Sequence, residues 1–443
     1  MKTSTWFQNK WDSFRSNFWF LPTIMSLAAI LACLILLQLD QRVGFLLPET
    51  GAGSLNSMRS VLAVLIGALV TALSIVFSST VVVLTLAASQ LGPRLLRTYV
   101  RDRSNQTLIG VFSSTVFYNL TALFVLGRLQ ESEGIPNFTV LVGFLMTCGA
   151  LFVLIYFIHH VARNIQAPNV ILNVSQELLS LIRNTYPEIE EKQEELSEET
   201  ALPQNGTRIS AIRSGYIQAV DIQTLMNLAS EHKLVIRTLH RPGHFIIQKE
   251  ALVEIYGRDI PMKEISPLIQ ECFILGEKRT ATQDVEFVMI EIVEIAVRAL
   301  SPGINDPFTA RTCVDRLAEA LCLLAERKQP QVYYYSEEGN LLLILDQPTF
   351  GTFCDVSFHQ IRQHASSDVY VLIHMMESLY LIMSHVRNID QKKAIWRHAE
   401  MIHNAGQKLV EESDRKDLER RFALLSFRTE DKNTDPMDEP EGK

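Results

Sequence analysis

The sequence feature that most constrains this fold is a stretch between Arg59 and Arg94 that contains no charged residue. A membrane-spanning helix needs about 20 mostly apolar residues, so Val61–Ala88 is long enough to cross a bilayer. Small and polar residues recur along it at intervals of three, four and seven positions: Ser60, Gly67, Thr71, Ser74, Ser78, Thr85, Ser89 and Gly92. At about 100° per residue, these intervals place them on one stripe about 60° wide. The segment therefore predicts a membrane helix with one polar face.

Two interpretations of this stripe are open. Small residues let membrane helices approach closely, and hydroxyl groups form hydrogen bonds between helices, so the stripe can be a packing seam. Hydroxyl groups also replace the hydration of a permeating solute, so the stripe can line a water-filled path. The two interpretations are compatible if copies of the helix surround an axis.

Three further windows without charged residues, Phe18–Leu39, Ser104–Gly127 and Gly134–Ile158, are also long enough to cross a bilayer. Charged residues are concentrated after about residue 160. The sequence therefore predicts an α-helical membrane protein with four transmembrane helices. A mixed α/β cytoplasmic region and then a mostly helical cytoplasmic region are expected to follow.

The orientation follows from the basic residues. Lys and Arg are concentrated before the first span, between the second and third, and after the fourth, so both termini of a multi-pass membrane protein are expected in the cytoplasm. The inner loop after the second span carries Arg94, Arg97 and Arg101. These arginines are expected either to anchor the loop to anionic lipid headgroups, with a binding free energy of about 1 kcal/mol each, or to form a basic vestibule at the inner mouth of a path.

Composition divides the chain into five segments. Residues 1–163 are predicted to form the transmembrane domain, and residues 164–206 a helical and acidic linker. Residues 207–280 alternate strand and helix patterns and predict a small α/β domain. Residues 281–428 are mainly helical with one hairpin, and residues 429–443 are a charged tail that is expected to be disordered.

A corner between two predicted cytoplasmic helices is the most distinctive motif after the membrane domain. Ser301-Pro302-Gly303 makes a short connection, Asn305 or Asp306 is expected to cap the next helix, and Pro307 suits its first turn. The residues of this corner are Arg298, Ser301, Gly303, Asn305, Asp306 and Arg311. Either the corner is a rigid structural connection, or its helix N-terminus binds a small anionic ligand.

Several classes of function lack support in the sequence. The net charge of −8 argues against nucleic-acid binding. The six cysteines form no CxxC pair or disulfide framework, and the histidines have no recurring ligand spacing, so no metal and no cofactor are predicted. No P-loop, nucleophile elbow, HExxH or kinase signature is present, so an enzyme is not expected.

Four motifs in order along the chain resemble one family of bacterial membrane proteins, which is known by domain of unknown function 2254. They are Ser89–Arg97, Ser214–Gln218, Arg279-Thr280 with Gln283-Asp284, and Ala299–Ala310. The resemblance extends to about residue 420. It implies a bacterial inner-membrane protein and implies no particular activity.

Two functions are consistent with these patterns. The first is a homo-oligomeric ion channel or permeation protein with a large cytoplasmic regulatory domain, because four spans are too few to enclose a path within one subunit. The alternative is a membrane-anchored sensor or scaffold that binds a small anionic ligand. The expected partners are the lipid bilayer, further copies of the chain, and ions or such a ligand. The predicted pore-lining or helix-packing residues are Thr71, Ser74, Ser78, Thr85, Ser89 and Ser114.

Overall fold

The computed structural model describes residues 19–43, 55–91, 103–129, 136–164, 167–188, 206–258, 260–328 and 331–430. The predicted basic inner loop with Arg94, Arg97 and Arg101 lies outside the described residues, as do 189–205 of the acidic linker and 431–443 of the tail. The chain forms two compact units, Met1–Asn169 and Val170–Lys443.

The first unit contains four long helices: α1 (Phe20–Val43), α2 (Leu55–Leu91), α3 (Arg103–Leu126) and α4 (Asn137–Asn164). Each is long and apolar enough to cross a membrane, so the four predicted apolar helices are confirmed as candidate spans. Helix α3 is the most buried of the four and packs against each of the other three. Helix α2 is the least buried, so one chain leaves most of its surface uncovered.

Two charged side chains join helix ends within this unit. Asp40, near the end of α1, accepts hydrogen bonds from the Thr139 backbone N–H and hydroxyl at 2.8 and 2.6 Å. Arg59, in the first turns of α2, donates to the Leu126 and Leu129 carbonyls at the end of α3. Each charge satisfies backbone groups that a helix end leaves without an intrahelical partner.

The second unit begins with an amphipathic helix, and two sheets follow. Their elements are α5 (Ala167–Thr185), β1 (Thr207–Ser210), β2 (Gly215–Val220), α6 (Ile222–Glu231), β3 (Val235–Thr238), β4 (Phe245–Ile246), β5 (Ala251–Tyr256), α7 (Met262–Cys272) and β6 (Phe273–Gly276). The larger sheet has the order β1-β5-β3-β8-β7, and the smaller has the order β4-β2-β6. Buried residues such as Ile217, Ile236 and Ile269 form their common core.

The remainder of this unit is mostly helical. Its elements are α8 (Val285–Ala299), α9 (Pro307–Ala325), β7 (Tyr333–Tyr335), β8 (Leu341–Ile344), α10 (Phe350–His364), α11 (Val369–Met383), α12 (Ile389–Gly406) and α13 (Glu412–Glu430). Polar residues that sit directly before five of these helices accept the backbone N–H three residues on: Asp284, Asp306, Thr349, Asp368 and Asn388. These caps set the helix starts. The predicted order of four apolar helices, an α/β region and a helical region is confirmed.

The hairpin is part of the larger sheet. Strand β8 pairs in parallel with β3, with Ile236 opposite Leu343, and β7 pairs antiparallel with β8. The sequence places this hairpin in the helical segment 281–428. The structure therefore joins the α/β and helical segments through one sheet.

Candidate functional site

The polar stripe of α2 lies on the uncovered side of the four-helix unit. Thr71, Ser74, Ser78, Thr85 and Ser89 are all exposed. The buried side of the same helix is apolar and contains Leu62, Leu69 and Val76. The structure therefore brings these five predicted residues together on one surface of a single chain.

The hydroxyl groups of this face bond to their own helix. Thr71 donates to the Gly67 carbonyl at 2.9 Å and Ser74 to the Val70 carbonyl at 2.9 Å. Thr85 donates to the Val81 carbonyl at 2.8 Å. A hydroxyl oxygen that has donated its hydrogen still has acceptor lone pairs, so the face presents hydrogen-bond acceptors.

Ser114 belongs to a different environment from the α2 stripe. It lies on α3, is buried, and donates to the Val111 carbonyl at 2.9 Å. Among the predicted residues it is therefore part of the packed interior of one chain, whereas the α2 residues are on its surface.

The interior of the four-helix unit contains a polar contact that the sequence did not reveal. The fully buried Asn119 donates to the Thr115 carbonyl at 3.0 Å and to the Thr147 hydroxyl at 3.3 Å. Its Oδ1 has no hydrogen-bond partner among the described residues. Gly143 of α4 lies against this oxygen, and a Cβ at that position would overlap it. The sequence signal for this contact is Asn119 itself, an amide side chain within a segment that has no charged residue.

Gly143→Ala is expected to destabilise the four-helix unit by about 1–3 kcal/mol, because the added methyl group forces Asn119 or α4 to move. Thermal unfolding of the full chain in detergent measures this effect. Gly149→Ala is the matched control on α4, since an added Cβ there meets nothing within 4 Å. Asn119→Ala should partly rescue Gly143→Ala. Equal melting of the two glycine variants would contradict the close contact.

The predicted corner between α8 and α9 is closed by its own hydrogen bonds. The Ser301 hydroxyl donates to the Arg298 carbonyl at 2.7 Å, and the Asp306 N–H donates to the Ala299 carbonyl at 2.8 Å. The Asp306 carboxylate accepts the Thr309 N–H at 3.1 Å and the Thr309 hydroxyl at 2.6 Å. Asp306 is thus the cap, and its carboxylate already lies at the helix N-terminus where an anion would bind.

One residue of the corner has a left-handed backbone conformation. It is Asn305, with a φ of 50°, and not Gly303. Asn tolerates this left-handed conformation better than most residues. An added Cβ at Gly303 meets nothing within 4 Å. Gly303→Val therefore lacks the strain that a positive φ would cause.

Arg311 extends from α9 towards α11. Its guanidinium stacks on the Tyr370 ring at 4.1 Å, and its Nη2 lies 3.2 Å from Nδ1 of His374. Within the described part of the chain its buried Nε has no hydrogen-bond partner. Arg311 is therefore held against α11, while Ser301 and Asp306 hold the loop.

A buried ion pair between Arg279 and Asp284 lies at the start of α8. The Oδ2 of Asp284 is bonded by Nε and Nη2 of Arg279 at 2.9 and 2.7 Å. Its Oδ1 accepts the Phe287 N–H at 3.0 Å. Burial raises the pKa of Asp284, and the Arg279 charge opposes this rise. Gly243, with φ of 93°, passes so close that a Cβ would overlap the carboxylate.

A second ion pair adjoins the first. Nη2 of Arg241 lies 2.8 Å from Glu286, and Nη1 lies 3.5 Å from Asp346. His244 lies 3.9 Å from Asp346, and burial lowers the pKa of this histidine. Arg241-Pro242-Gly243-His244 has the composition of a turn, which does not by itself indicate these ion pairs. The contacts of Arg241 hold this turn against α8, through Glu286, and against the residues after β8, through Asp346.

Comparison with known proteins places the chain in a family. The model of a family described as "Predicted membrane protein (DUF2254)" matches residues 15–380. Uncharacterized proteins of Mycobacterium tuberculosis strain H37Rv and of Mycobacterium bovis are each 29% identical over 411 residues, which cover 91% of this chain and 79% of each relative. No solved structure matches the chain significantly. Because the family model covers most of its length, the chain belongs to the DUF2254 family of predicted membrane proteins.

Proposed function

We propose that this protein is a homo-oligomeric ion channel or permeation protein, in which the polar face of α2 from each subunit lines a path on a symmetry axis. The observation that supports the proposal is the exposure of Thr71, Ser74, Ser78 and Thr85 on a single chain. No reaction is part of the proposed role.

A path between subunits agrees better with this arrangement than a path within one. The interior of the four-helix unit is filled by large buried side chains such as Phe112 and Tyr118. Identical subunits that surround an axis present the same helix face to it. Close-packed copies of α2 would also cover the apolar surface that one chain leaves exposed.

The hydrogen bonds of the stripe favour a cation. Because Thr71, Ser74 and Thr85 donate their hydrogens to the helix, their oxygens keep lone pairs that can accept further contacts. Oxygen acceptors replace the hydration shell of a cation, whereas anions need donors. The large second unit is then a regulatory domain.

Flux measurements on purified protein in liposomes test the proposal. The parent protein is expected to pass K⁺ faster than Cl⁻ when either ion has a gradient across the bilayer. Voltage, salt concentration and pH are varied so that a closed channel is not mistaken for a protein that does not conduct. The absence of flux of either ion under all of these conditions would contradict the proposal.

The proposed orientation places both termini in the cytoplasm, because basic residues are concentrated in the corresponding loops. Reporters fused after Gly53 or Gly134 should be external, and reporters fused after Arg103 or Lys443 internal. An external reporter after Lys443 would contradict this orientation.

A second function, a sensor or scaffold that binds a small anion, is favoured by one observation. The Arg311 guanidinium is always charged, and its buried Nε lacks a partner within the described ranges. Calorimetric titration with inorganic phosphate tests this function on the full chain. Arg311→Ala should abolish binding, and Arg316→Ala, which removes an exposed arginine paired with Glu319, should not. No binding to the parent would contradict it.

A further inference from the structure

Three metal-ligand side chains meet between two helices of the second unit. Asp355 and His359 are one turn apart on α10, and His398 comes from α12. One ligand atom from each residue lies within 4.8 Å of the others. The Nε2 atoms of His398 and His359 are 2.9 and 3.4 Å from the same Asp355 oxygen.

These distances suit a metal ion with only small movements. Zinc is bound by histidine nitrogen and carboxylate oxygen at about 2.0–2.2 Å, almost always tetrahedrally, which separates neighbouring donors by about 3.3–3.5 Å. Two imidazoles and one carboxylate are also a donor set for other divalent transition metals. Mg²⁺ and Ca²⁺ fit less well because they prefer oxygen ligands.

The three side chains differ in burial, so one side of the cluster is open to solvent. The His398 side chain is fully buried, whereas the Asp355 and His359 side chains are 33% and 37% exposed. Buried packing therefore fixes one ligand, and two partly exposed ligands face solvent. Three protein ligands with an open fourth position allow a water molecule or another ligand to bind the ion.

Arg397 competes for the same carboxylate. Its Nη2 donates to the Asp355 oxygen that both histidines approach. The Arg397 side chain is 47% exposed, so its guanidinium can move to the other carboxylate oxygen or to solvent. Removing Arg397 therefore distinguishes two kinds of site. The change should strengthen metal binding at a metal site, whereas it should weaken a cluster that is held together only by ion pairs.

We propose that Asp355, His359 and His398 form a binding site for one divalent transition-metal ion of the zinc class, which joins α10 to α12. The site is independent of the proposed permeation path and of the Arg311 group. The sequence did not reveal it because His398 is far from the other two residues along the chain.

Co²⁺ absorption tests this proposal on the full chain, purified in detergent with a tag that contains no histidine and stripped with a chelator. The parent should bind one Co²⁺ per chain with visible absorption bands, and Zn²⁺ should displace it. His359→Ala should weaken Co²⁺ binding about tenfold or more, because it removes one of three ligands. His364→Ala is the matched control, since this exposed histidine is on the same helix.

Arg397→Ala should bind Co²⁺ more tightly than the parent, because a positive charge and a competing donor are removed. Intact folding of each variant is checked by its circular dichroism. Absence of Co²⁺ binding to the parent would overturn the proposal. Equal affinity of His359→Ala and His364→Ala would also overturn it, and so would weaker binding by a folded Arg397→Ala variant.

Discussion

Ser74→Leu and Ser78→Leu should each reduce ion flux in liposomes by about tenfold or more, because a ring of leucines around the axis narrows and dries the path. Leucine suits a bilayer-facing helix, so the fold of the subunit should be retained. Size-exclusion chromatography in detergent should show the same oligomer for these variants and the parent.

Ile75→Leu is the matched control for this prediction. Ile75 neighbours Ser74 on α2 and is 61% exposed on the single chain, and the substitution preserves the volume and polarity of the side chain. Its flux should equal that of the parent. If the Ser74 and Ser78 variants instead dissociate into monomers, the stripe is a packing seam rather than the wall of a path.

Arg279→Ala should lower the unfolding free energy of the second unit by about 3–5 kcal/mol, because it leaves a buried carboxylate without its charged partner. The Asp284 side chain is only 2% exposed, so water replaces the lost guanidinium poorly. Denaturant unfolding of the full chain in detergent, followed by circular dichroism, measures this loss.

Arg208→Ala is the control for that measurement. Arg208 pairs with Glu254 at 3.0 Å, but its side chain is 68% exposed. Exposed ion pairs contribute about 0–1 kcal/mol, so this variant should unfold almost like the parent. Equal stability of the Arg279→Ala and Arg208→Ala variants would show that the buried pair does not stabilise the second unit.

The sequence predicted features that depend on composition and local chemistry. Runs without charge identified the four spans, because the bilayer requirement is local. Residues such as Asp306 marked helix starts, since a cap bonds to N–H groups only three residues away. At the corner, the sequence did not indicate which residue has a positive φ, because Asn305 and Gly303 both accept that conformation.

Features that depend on distant partners were not predictable in this way. The space around Asn119 exists only because Gly143 lies opposite it on another helix. The parallel pairing of Ile236 with Leu343 joins strands more than 100 residues apart. A single sequence contains no signal for such pairs, because they depend on the packing of the whole unit. The cytoplasmic location of the second unit stays a prediction.

The most direct test of the central claim is the reaction of engineered cysteines with a water-soluble, membrane-impermeant thiol reagent. The background is a chain with Cys148 and Cys322 replaced by Ser, because the other four native cysteines are buried. In assembled protein, Ser74→Cys should react about tenfold or more faster than Ile75→Cys, since only the former faces water in the path. If Ser74→Cys is unreactive, or reacts no faster than Ile75→Cys, the polar face of α2 does not line a water-filled path.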